Sequence, residues 1–95
     1  MKFTVIVKQP VYDFVRRLAP EPRRAIKRGL ETLRVGRGDR KPLEATLAGY
    51  YRLRVGRYRI VYRFISPQAI EAIFAEERSI VYEVFEEEFV RKLKS

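Results

Sequence analysis

Four arginines in one short stretch carry the most chemical weight in this sequence. Residues 47–64 read LAGYYRLRVGRYRIVYRF, two strands folded back at Val55-Gly56-Arg57-Tyr58. With Gly56-Arg57 as a two-residue loop, glycine meets the positive φ of a primed hairpin turn. Counting outward, Val55 faces Tyr58, Leu53 faces Ile60 and Tyr51 faces Tyr62. The alternate pairs are Arg54 with Arg59, Arg52 with Val61, and Tyr50 with Arg63. Side chains alternate across a strand, so one face is apolar and aromatic while the other holds Arg52, Arg54, Arg59 and Arg63. Like charges directly opposite each other destabilise a sheet, and local conflicts of this kind mark places where function overrides folding. A row of guanidinium groups suits phosphate oxygens, which it can grip by charge-assisted, often bidentate hydrogen bonds. The expected partner is a polyanion. The apolar set Tyr51, Leu53, Val55, Tyr58, Ile60, Tyr62 and Phe64 is expected in the core; Tyr50 shares the arginine face, and Arg57 is a surface residue at the turn.

Composition narrows the chemistry further. The chain has 95 residues and a formal net charge of +9, with neither cysteine nor histidine. Disulfides, thiolate metal sites, the commonest metal ligand and the commonest general base are thereby excluded. Neither a cofactor nor a metal is expected, and any reaction must use Arg, Lys, Tyr, Glu or Asp. The charge is unevenly spread: residues 1–68 hold 17 basic and 5 acidic side chains, residues 69–95 hold 4 and 7. This pattern gives a basic working surface and an end that stays out of it or covers it. No signal peptide or membrane-spanning run is evident, so a cytoplasmic protein without membrane contact is expected. The length fits a single domain over 1–95.

The remaining elements must position the hairpin. Lys2 to Lys8 alternates and is β-branched, so it is a strand with Phe3, Val5 and Val7 on one face. Pro10 opens a helix with the stripe Val11, Phe14, Val15 and Leu18. A second helix runs from about Glu21 to Val35, buries Ala25, Ile26, Leu30 and Leu33, and ends at Gly36-Arg37-Gly38. The two form an antiparallel helical hairpin. Arg23, Arg24, Lys27, Arg28 and Arg34 on the second helix make a solvated face or a phosphate-binding ridge. A connector, Asp39 to Ala48, carries the apolar anchors Leu43 and Leu47. Ala69 to Glu76 is a strand apolar on both sides, Ile70, Ala72 and Phe74 on one and Ala69, Ile73 and Ala75 on the other, hence interior to a sheet. Ser79 to Lys94 reads as a C-terminal helix, with Ser79 as N-cap; its Glu86, Glu87 and Glu88 make a solvated face. The predicted class is α+β: an N-terminal strand, a helical hairpin, a three-stranded antiparallel meander and a C-terminal helix, with helices on one face.

With these residues in place, the chain resembles the RelE/ParE superfamily of bacterial and archaeal toxins. The resemblance rests on Leu43…Leu47-Ala48-Gly49-Tyr50-Tyr51-Arg52-Leu53-Arg54-Val55-Gly56, on Tyr58-Arg59-Ile60-Val61-Tyr62, and on Glu77-Arg78-Ser79-Ile80-Val81-Tyr82, where an arginine precedes a tyrosine by four residues. It implies a RelE-like fold and a toxin of a type II toxin–antitoxin system, neutralised by a cognate antitoxin protein. In the favoured RelE branch it implies a metal-independent endoribonuclease, cutting mRNA on the ribosome by attack of a 2′-hydroxyl. Arg52, Arg54 and Arg59 would then hold the phosphate, Arg78 would lie near the scissile bond, and Tyr82 would stack on a base or move a proton. The chain departs from the family pattern at Glu76, where an arginine is expected six residues before the tyrosine; its carboxylate could act as base or lower the local potential. Arg52 and Arg54 replace lysines, which keeps the charge but removes a proton donor. The alternatives are a ParE-like inhibitor of DNA gyrase and a non-toxic member that only binds its antitoxin.

Overall fold

The computed structural model describes residues 2–77. β1 (Thr4–Val7) leads into α1 (Gln9–Arg16) and α2 (Pro20–Arg34); β2 (Asp39–Pro42) and a 3₁₀ turn (Ala45–Leu47) follow, then β3 (Tyr51–Val55), β4 (Tyr58–Ser66) and β5 (Ala69–Glu77). The strands form one sheet in the order β1-β5-β4-β3-β2. β1 runs parallel to β5, and the other neighbours are antiparallel. The α+β class and the helical hairpin agree with the sequence. The expected C-terminal helix lies outside the described residues.

The hairpin register follows the counting argument. Tyr51, Arg52, Leu53, Arg54 and Val55 pair with Tyr62, Val61, Ile60, Arg59 and Tyr58. Gly56 has φ +58, and Arg57 does not share its positive φ, the pattern of a type II′ turn. Tyr50 lies just before β3 begins, so its pairing with Arg63 does not form.

Both helices start with proline in the first turn, where its missing N–H costs nothing. α2 ends in a Schellman motif: the Gly36 N–H donates to the Leu33 carbonyl and the Arg37 N–H to that of Thr32, with Gly36 at φ +72. The Arg23 guanidinium donates from Nη2 to the carbonyls of Arg16 (3.1 Å) and Leu18 (3.0 Å), tying off the end of α1. Arg23 therefore joins the two helices and leaves the expected basic ridge, where Arg24, Lys27, Arg28 and Arg34 stay exposed.

The helices cover one face of the sheet. Val11, Phe14, Ile26 and Leu33 from the helices bury against Leu53, Ile60, Tyr62, Ile70, Ala72 and Ala75 from the strands. α2 lies close against the sheet at Gly29, where an added Cβ would stand 2.5 Å from Val55 Cγ2. Phe64, expected in the core, is 39% exposed and sits at its rim, in edge contact with Phe3, Tyr51 and Tyr62. Val7 at the end of β1 is also exposed and borders a groove of about 250 Å³ with Val5, Leu30, Lys27, Glu31 and Arg34.

Three features differ from the sequence reading. The connector contains β2, a polar strand of four residues ending in proline, too short and too hydrophilic to show a strand pattern. The sheet is thus a mixed one of five strands, with β5 in its interior as expected. The third is a register shift between Val61/Tyr62 on β4, which face Phe74 and Ala72, so that Ile73 is the extra residue of a bulge. A bulge inverts the alternation beyond it. Ala75 therefore joins Ile70 and Ala72 in the helix-side core, while Phe74, predicted beside them, packs on the opposite face.

Candidate nucleic-acid interface

The face away from the helices is not a uniform arginine surface. Its middle is apolar: Leu47 and Val61 are buried there, with Leu43, Tyr50, Ile73 and Phe74 packed around them. The connector's two anchors, Leu43 and Leu47, are what the sheet needed to cover Val61. This patch divides the cations into two groups.

The first group lies toward the strand ends far from the hairpin turn, and its two cations share one carboxylate. Arg63 Nη2 lies 3.1 Å from Glu71 Oε1, and Lys8 Nζ lies 3.7 Å from Glu71 Oε2. Glu71 faces Arg63 across β4 and β5, and its side chain is largely buried between the two cations. Arg63 is thus a structural partner in this sheet.

The second group lines a depression of about 430 Å³ formed by Lys41, Pro42, Leu43, Glu44, Arg52, Arg54 and Arg59. Four cations there meet one carboxylate. β3 supplies Arg52 and Arg54, β4 supplies Arg59, and β2 adds Lys41 opposite Arg52 and Asp39 opposite Arg54. The Arg52 side chain is 14% exposed and its Nη1 donates to Asp39 Oδ1 at 3.3 Å, which fixes it and offsets part of its charge. Arg59 folds back onto the turn, donating from Nη1 to the carbonyls of Gly56 (3.0 Å) and Tyr58 (3.1 Å). Among the described residues, Arg54 has no carboxylate within ion-pairing distance. It stands directly opposite Arg59, and this like-charge juxtaposition opens into the depression. Such a site attracts an anion of high charge density.

Arg52, Arg54 and Arg59, singled out from sequence, are therefore brought together. Glu76 faces Arg59 across β4 and β5 and lies beside the depression, outside its lining; its Oε1 accepts the Glu77 N–H at 3.1 Å. Arg78 and Tyr82 lie outside the described residues. Arg57 at the turn tip pairs with Glu77 at 3.7 Å, both well exposed.

Lys41 and Glu44 were not foreseen as site residues. Their only sequence signal is position, flanking Pro42-Leu43 in a connector that looked like a loop. On the helix side of the same strands, burial raises the Tyr62 phenol above its ordinary pKa, with the Arg40 guanidinium opposing.

The mixed five-stranded sheet with a helical hairpin on one face is similar to solved toxins from toxin–antitoxin pairs. The toxin–antitoxin complex RelBE2 from Mycobacterium tuberculosis matches with TM-score 0.67 and 26% identity, over 82% of this chain and 100% of that one. The archaeal RelE–RelB complex from Pyrococcus horikoshii matches with TM-score 0.67 and 25% identity, over 83% and 98%. A toxin described as YoeB/ParE from Agrobacterium tumefaciens shares the fold at TM-score 0.62 and 22% identity, over 81% and 100%. No curated protein matches the sequence. Residues 6–75 match the family described as ParE toxin of type II toxin-antitoxin system, parDE, and the chain belongs to that family, within the wider RelE/ParE group.

Proposed function

We propose that this toxin is a metal-independent endoribonuclease that cleaves messenger RNA on the ribosome in the cytoplasm, and that a cognate antitoxin holds it inactive. The observation that carries the reading is the facing pair Arg54–Arg59 in a depression lined also by Arg52 and Lys41. Cleavage without a metal needs cations on the pentavalent phosphate, and guanidinium groups fixed before substrate arrives supply this stabilisation with little reorganisation. Arg52 and Arg59 are so fixed, by Asp39 and by the turn carbonyls. The similar RelE chains were solved with RelB antitoxins, and this chain's basic surface suits an acidic antitoxin segment laid over the same depression. Arg78 and Tyr82 complete the site in this reading, Arg78 near the scissile phosphate and Tyr82 stacked on a base or moving a proton.

The match to the ParE family favours a second reading, inhibition of DNA gyrase with no chemistry by the toxin. Induction separates the two. The nuclease halts translation and leaves primer-extension stops within translated codons, and these vanish in Arg59→Ala and Tyr82→Ala. Loss of supercoiling with messenger intact would instead establish the gyrase reading. Unchanged cuts in both variants would overturn the site assignment.

A further inference from the structure

The arginines of the hairpin can neutralise a phosphate, but a guanidinium holds its proton far too tightly to deliver it at neutral pH. Strand cleavage by a 2′-hydroxyl also needs a proton taken from the attacking oxygen and one given to the leaving oxygen. β2 and the short connection after it bring both kinds of group into the depression. Lys41 pairs in register with Arg52 and Glu44 follows three residues later on the same wall. Among the described residues neither lies within ion-pairing distance of an opposite charge, so each head is available to a ligand.

The wall between them is fixed. The Leu43 N–H donates to the Tyr50 carbonyl at 2.9 Å, and the Leu43 side chain packs with Leu47 against Val61. Immediately after Glu44 the backbone turns sharply at Ala45, at φ +56, a conformation an L-residue holds only where surrounding structure imposes it. Lys41 and Glu44 are thus presented on a rigid edge beside the phosphate-binding arginines.

We propose that Lys41 is the general acid and Glu44 the general base of RNA cleavage in this depression, an inference that rests on the nuclease reading above. The 2′-oxygen bonds to phosphorus as its proton passes to the Glu44 carboxylate. The bond from phosphorus to the 5′-oxygen breaks, and that oxygen takes a proton from the Lys41 ammonium. The products are a 2′,3′-cyclic phosphate and a 5′-hydroxyl; Lys41 and Glu44 then exchange protons with solvent.

The test uses the full chain on ribosomes programmed with a message whose scissile linkage carries either the natural 5′-oxygen or a bridging 5′-sulfur. A thiolate leaves without needing a proton. Lys41→Arg keeps the charge and is expected to bind programmed ribosomes as wild type does, yet to cleave the oxygen substrate ~10²–10⁴-fold more slowly. On the sulfur substrate it should approach the wild-type rate. Glu44→Gln should be slow on both. Unimpaired cleavage of the oxygen substrate by Lys41→Arg, or equal slowing on both substrates, overturns the role of Lys41, and unimpaired Glu44→Gln overturns that of Glu44. A wild-type toxin that binds ribosomes and cuts neither message overturns the nuclease reading, and this inference with it.

Discussion

Arg59 on β4 and Glu76 on β5 are register partners on the face away from the helices, yet their charged heads turn apart. Arg59 donates to the carbonyls of its own turn, and Glu76 accepts the next backbone N–H. The bulge at Ile73 is what sets them opposite each other. Unbroken alternation from Ile70 and Ala72 would put Glu76 on the helix side. Because the two groups make no direct bond, Glu76→Gln should leave the fold intact and tighten single-stranded RNA binding. The gain expected from removing this one half-buried opposing charge is ~0.2–1 kcal/mol, or about 1.5- to 5-fold in Kd by fluorescence anisotropy.

The arginines of the depression should differ in weight. Each phosphate neutralised on a single strand contributes about 0.7 to the slope of log affinity against log salt. Arg54→Ala should lower the slope by about that amount. Arg52→Ala should lower it less, since Asp39 already offsets part of its charge. Asp39→Asn should act in the opposite sense and strengthen binding. A salt titration of labelled RNA checks all three.

Gly29 lets α2 lie close against β3. Gly29→Ala gains helix propensity but drives a methyl into Val55 Cγ2. Overpacking of this kind costs about 1–3 kcal/mol. A fall in Tm of several degrees is expected, at about 4–8 °C per kcal/mol for a domain of this size. Val55→Ala opens the space, so the double variant should be more stable than the two single effects added together.

Tyr62 gives the alkaline limb of stability a specific origin. Burial raises its phenol above the ordinary value of 10.0, so the folded chain keeps a proton that the unfolded chain releases. Its stabilisation is complete below that ordinary value and is lost as pH rises from there through the folded pKa. Tyr62→Phe should flatten the decline in Tm above pH 10, and ultraviolet titration should lose one phenol whose ionisation lies above the ordinary value.

The sequence by itself determined the helical hairpin, the β3–β4 register and the shared face of Arg52, Arg54 and Arg59. These follow from local periodicity, capping and a two-residue turn, each decided within a few residues along the chain. Tertiary structure alone decided what becomes of those arginines. Glu71 and Asp39 reach Arg63 and Arg52 from other strands, and Leu43 and Leu47 fold over Val61 to split the face in two. The bulge at Ile73 moved Phe74 and Glu76 to the arginine side, which no alternation rule could foresee because one extra residue reverses all that follows. β2 was equally hidden, since four polar residues become a strand only by pairing with β3. With that strand and the residues just after it come Lys41 and Glu44, the ammonium and carboxylate the hairpin lacks. Charge was legible in the order of residues; the placing of groups able to move a proton depended on contacts distant in sequence.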